Sequence, residues 1–142
     1  MELDLGLLGF AAALSLAGVG SALGMGFAGQ AAIGAWKKCF ATGKPAPFTL
    51  IVFVGAPLTQ VFYGMILMNA IVASGADSGT KFAAGVFGGL AMGASAMMQG
   101  KAGAAASDAL AETGKGFTNY IMVVGLIETV ALFAMVFLMG KV

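Results

Sequence analysis

Among the six carboxylates of this 142-residue chain, only Glu128 lies inside a long apolar stretch, about midway between Phe117 and Met139. A charge at the centre of a membrane is costly unless it is paired, protonated or bound to a cation. Such a carboxylate marks an ion path; the structural alternative is a protonated glutamate that bonds one helix to another. Thr59, Gln60 and Tyr63 lie near the middle of a second apolar stretch. At ~100° per residue they fall at ~0°, ~100° and ~40°, on one helical face. Gln99 lies near the middle of a third stretch, so all four share the depth of Glu128. Together they offer a carboxylate, two amide oxygens and a hydroxyl. That set suits a hard monovalent cation and exceeds what a proton needs. Tyr63 can donate its O–H to Glu128, leaving the carboxylate free to accept a cation as well. Pro57 adds loosened backbone carbonyls, because it cannot donate a main-chain bond and crowds the carbonyl of Phe53. Taken singly, a glutamine or threonine in a span is more often an interhelical hydrogen bond. Gln30, with no carboxylate opposite it, is read that way.

Helices must position these groups. Hydrophobic residues make up 60% of the chain and charged residues 9%, too little polar surface for a soluble particle of this size. Disorder is excluded as well, since it goes with low hydrophobicity and high net charge. Charges and turn residues cut the chain into four apolar stretches, about 5–36, 48–74, 82–106 and 117–139. Each suffices to cross ~30 Å of hydrocarbon, which takes roughly 20 helical residues. No ten-residue alternation suggests a transmembrane barrel. The expected fold is an all-α membrane protein of four transmembrane helices.

The two halves repeat. Gly20, Ala22, Gly24, Gln30, Gly34 and Ala35 match Gly89, Ala91, Gly93, Gln99, Gly103 and Ala104 at one constant offset, and Thr-Gly-Lys recurs at Thr42 and Thr113. Val54-Gly55 and Thr59 match Val124-Gly125 and Thr129. Residues 1–74 and 75–142 are thus read as tandem helical hairpins of the same orientation. The first and third helices are glycine-rich, whereas the second and fourth carry bulky apolar residues. Close backbone packing of small residues then implies an inner layer of helices one and three and an outer layer of two and four. A compact bundle would use the same glycines.

Lys37, Lys38 and Lys44 follow the first stretch; Lys101 and Lys115 flank the third-to-fourth connection, partly offset by Asp108 and Glu112. The positive-inside rule puts both hairpin loops in the cytoplasm and both termini outside. Glu2 and Asp4 replace the basic start of a secretory signal. With no histidine and only Cys39, the chain has no zinc or Cys/His catalytic set and no internal disulfide. A net charge of +1 gives no field for nucleic acid. Gly24 to Gly29 fits a dinucleotide fingerprint by spacing alone, without the preceding strand or the later acidic residue, and reads as packing. No cofactor is expected.

With its glycine-rich helices, the run Gly55 to Gly64, Gln99 and Gly125-Leu126-Ile127-Glu128-Thr129, the chain resembles the duplicated proteolipid rotor protein, the c or K subunit, of V-type ATPases. It looks like the sodium-translocating bacterial branch. The resemblance implies that Glu128 is the ion-binding carboxylate, that Thr59, Gln60 and Gln99 are side-chain ligands, that Ala56 contributes its backbone carbonyl, and that Tyr63 bonds the glutamate. Leu58 stands at the repeat position of Glu128, as in forms with one carboxylate per duplicated subunit. Ile127 stands where many relatives have proline. A non-catalytic subunit of a membrane ring follows, turned by an ATP-hydrolysing head through stalk subunits that touch the cytoplasmic loops. Glu128 would exchange Na⁺ with a static a/I-type subunit and carry it through lipid, in a bacterial plasma membrane. A proton-carrying rotor and, more remotely, a small four-helix secondary transporter remain as other readings.

Overall fold

The computed structural model describes residues 4–142; Glu2, at the chain start, lies outside them. Four helices emerge, each long and apolar enough to cross a membrane: α1 (Leu5–Ala41), α2 (Leu50–Ala73), α3 (Ser78–Thr113) and α4 (Phe117–Met139). Among the described residues there is no strand. The chain is an all-helical integral membrane protein.

Capping explains where the helices start. Asp4 accepts the Gly6 amide at 2.8 Å, and Asp77 accepts those of Gly79 and Thr80 at 2.9 and 3.0 Å. These carboxylates satisfy amides that a helix N-terminus leaves open. The Thr80 hydroxyl and amide also hold the Asp77 carboxyl below its usual range. Glycine ends the first and third helices: Gly43 and Gly114 both have φ of +66°, in the left-handed region that stops a helix.

Two boundaries differ from those expected. α1 continues to Ala41 rather than ending at Trp36, and α3 runs from Ser78 to Thr113 rather than about 82–106. Lys37 and Lys38 are therefore helical, and Lys101 stands well inside α3 instead of near its end. Hydropathy falls off before the helix does, because Lys, Ala, Leu and Glu are good helix formers whether or not lipid surrounds them. At ~1.5 Å per residue, α1 and α3 exceed ~50 Å and project beyond the hydrocarbon. α2 starts at Leu50 rather than Phe48 and tightens into one 3₁₀ turn at Ala56–Leu58, where Pro57 lacks the amide an α-turn needs.

α1 and α3 run parallel and share the most extensive contact in the molecule. Gly9 meets Gly85, Gly20 meets Gly93 and Gly24 meets Gly100 main chain to main chain, leaving no space for a Cβ. α2 fits the crevice outside this pair; a Cβ on Gly64 would lie 2.7 Å from the Ala13 carbonyl oxygen. α4 packs mainly on α3 and secondarily on α2. Small residues thus build an inner layer, and α4 exposes Met122, Leu126, Phe133 and Phe137 outward. The packing role expected for the whole glycine stripe holds for one face only, since nothing in the chain lies within 4 Å of a Cβ on Gly26 or Gly34. Projecting ends of α1 and α3 meet at an ion pair, Lys38 to Glu112 at 3.7 Å, between side chains more than half exposed. Such a pair contributes little.

Candidate ion-binding site

Thr59, Gln60, Tyr63, Gln99 and Glu128 come together where α2, α3 and α4 meet. The tightened turn at Pro57 leads directly into Thr59, so α2 resumes its regular pitch with Thr59, Gln60 and Tyr63 turned toward the other two helices. Gln60 and Gln99 are fully buried. Burial makes an unpaired amide costly, so their bonding has to be complete or nearly so.

The bonds form one string. Thr59 Oγ1 lies 3.1 Å from both the Ala56 carbonyl oxygen and Gln60 Oε1, with one proton to give to either. Gln60 Nε2 donates to Gln99 Oε1 at 2.8 Å. Gln99 Nε2 donates to Glu128 Oε2 and to the Val124 carbonyl, each at 3.1 Å. Tyr63 donates its hydroxyl to the other carboxylate oxygen, Oε1, at 2.6 Å. Glu128 therefore receives a donor on each oxygen, and the two donors together fix the plane of its carboxylate. The group lies halfway along a transmembrane helix with no lysine bonded to it.

Oxygens dominate what the string leaves free. Carboxylate and carbonyl oxygens each have two lone pairs, and every acceptor named here uses only some of them. The Ala56 carbonyl, Thr59 Oγ1, Gln60 Oε1, Gln99 Oε1 and the Glu128 carboxylate are neighbours along the string, a donor set suited to a hard cation with oxygen preference. Tyr63 serves differently, with a hydroxyl that orients the carboxylate.

Gln30 corrects an expectation. Read as an interhelical hydrogen bond, it is instead exposed and makes no side-chain bond among the described residues. Its repeat mate Gln99 lies between α2 and α4, one from each hairpin; the corresponding side of α1 has no preceding hairpin to meet it. One further polar residue gives no signal in the sequence. Ser95, only 5% exposed, donates Oγ to the Ile127 carbonyl at 2.9 Å, next to Glu128. Amid Gly and Ala its small size reads as packing, and only the fold reveals the bond.

Comparison with known proteins bears on this geometry. Residues 82–139, the α3–α4 hairpin that holds Gln99 and Glu128, match the family model of the ATP synthase C subunit. Over 136 residues, 94% of the chain, it is 35% identical to the A-type ATP synthase subunit K of Methanocaldococcus jannaschii. The chain spans 59% of that relative's length. A glycine-packed helical hairpin with a carboxylate in its second helix, matched by the family model and extended by a full-chain likeness, means that the chain belongs to the family of ATP synthase C subunits.

Proposed function

We propose that this chain is the ion-carrying subunit of the rotor ring of an A/V-type ATPase, and that Glu128 carries Na⁺. The carboxylate of Glu128, bonded on both oxygens by Tyr63 and Gln99 at the end of a string of oxygen donors, is the observation that carries the reading. One carboxylate and one monovalent cation make a neutral pair, which can pass along lipid without the cost of an intramembrane charge. Glu128 supplies the charge, and Thr59, Gln60, Gln99 and the Ala56 carbonyl replace the hydration shell. Copies of the chain close into a ring, and the bare side of α1 at Gln30 is where the next copy's second hairpin fits. A static membrane subunit loads and unloads the ion, and stalk subunits grip the cytoplasmic loops, with both termini outside the plasma membrane. ATP hydrolysis belongs to other subunits; this one moves cargo.

Carbodiimide modification of Glu128 in the purified ring tests the cargo. Na⁺ should slow the reaction, more strongly at higher pH, where protons compete less for the carboxylate. Modification at the same rate with and without tens of millimolar Na⁺ would leave a proton-carrying rotor instead.

A further inference from the structure

α3 grips α4 on two successive turns around Glu128. Gln99 Nε2 donates to the Val124 carbonyl at 3.1 Å, and one turn earlier on α3 Ser95 Oγ donates to the Ile127 carbonyl at 2.9 Å. Val124 is one helical turn before Glu128 and Ile127 is its immediate neighbour, so the two bonds hold the backbone that leads into the carboxylate. Both donors are buried. Gly and Ala surfaces alone allow helices to approach but give little directional restraint. Hydrogen bonds to carbonyls are directional and weaken steeply below ~120°, so rotating α4 by one residue step, ~100°, would break both.

Ser95 had a local alternative. A serine inside a helix can bond the carbonyl four residues back in its own helix, as Ser107 does with Gly103 at 2.9 Å. Ser95 reaches across to α4 instead. The internal repeat supplies a second comparison. At the offset that pairs Gln30 with Gln99, Ser95 is matched by Gly26; at the offset that pairs Thr59 with Thr129, Glu128 is matched by Leu58. Hydroxyl and carboxylate are present together in the second hairpin and absent together from the first.

We infer that Ser95 is a positioning residue for the ion site: with Gln99 it fixes the rotation of α4, so that Glu128 opens and closes by its own side-chain torsions while the helix stays in place. The inference rests on Glu128 being the ion carrier. It assigns the helix a static role during loading and release, and confines the moving part to one side chain.

The test uses the complete ATPase reconstituted in liposomes, with parent, Ser95→Ala and Ser95→Thr rings. In Ser95→Ala the Na⁺ concentration for half-maximal ATPase activity should rise about threefold to tenfold, the scale of one intramembrane hydrogen bond, with the maximal rate within about twofold of the parent. Ser95→Thr, which keeps the hydroxyl, should return that concentration toward the parent value. An unchanged half-maximal concentration in Ser95→Ala overturns the assignment, as does a lower maximal rate at the same concentration. If Na⁺ affects none of the three rings, the sodium reading alone fails. Ser95 is then judged by the rate of carbodiimide labelling of Glu128 in Na⁺-free purified rings. Faster labelling in Ser95→Ala, restored by Ser95→Thr, supports the positioning role, and equal rates overturn it.

Discussion

Glu128→Gln is expected to abolish ion transport while the ring still assembles. Glutamine keeps the length and planarity of the side chain, and its oxygen can still accept the Tyr63 hydroxyl that now lies 2.6 Å from Glu128 Oε1. Packing around the site is therefore kept, and the glycine contacts of α1 and α3 lie elsewhere. What disappears is the negative charge. A cation held only by the neutral oxygens of Thr59, Gln60, Gln99 and the Ala56 carbonyl would cross lipid uncompensated, at ~2.5–3.5 kcal/mol on the most lenient scale. At ~1.4 kcal/mol per decade, occupancy during rotation falls at least ~60-fold. Ion flux into proteoliposomes containing the complex reads this directly, and an SDS gel of the ring reads assembly. Retained flux would contradict the assigned role of Glu128.

The second large effect concerns the fold. Gly20→Ala or Gly100→Ala should prevent α1 and α3 from reaching their present separation, because the added carbon would overlap the main chain of Gly93 or Gly24. Overpacking of side chains costs ~1–3 kcal/mol when a neighbour can change rotamer. Main chain held in a helix has no rotamer to change, so the cost should lie at or above the upper end of that range. In a membrane this loss has no hydrophobic drive to offset it, since small-residue packing is itself what holds these helices together. We expect little assembled ring in detergent extracts of either variant, measured by yield and by thermal unfolding. A Gly20→Ala ring with parental yield and unfolding midpoint would show that the close contact is not needed.

The four spans are legible in the sequence because lysines, Gly43-Lys44-Pro45 and Gly114-Lys115-Gly116 punctuate an otherwise apolar chain. The true ends of α1 and α3 are not, because Lys37, Lys38 and the run Ser107 to Thr113 are polar yet helical. Hydropathy reports the surroundings of a helix, whereas its length depends on backbone propensity and on where glycine stops it. Glu128 stands out because a lone carboxylate in a span has few structural excuses. The partners of Glu128 follow from depth and helical angle, since both arise from local geometry. Which atom of Gln99 faces which neighbour needs the packing of three helices at once. Ser95 and Gln30 mark the limits of residue type as a guide: a small polar residue that works across an interface, and an amide that meets no partner within its own chain.

Counting sodium ions bound per chain tests the central claim most directly. Equilibrium binding of radioactive Na⁺ to purified rings, at a pH where protons do not compete, should saturate at one ion per chain, since Leu58 leaves the first hairpin without a carboxylate. The same measurement on Glu128→Gln rings should find none. Binding that persists without Glu128, or parent rings that bind no Na⁺, would contradict the account.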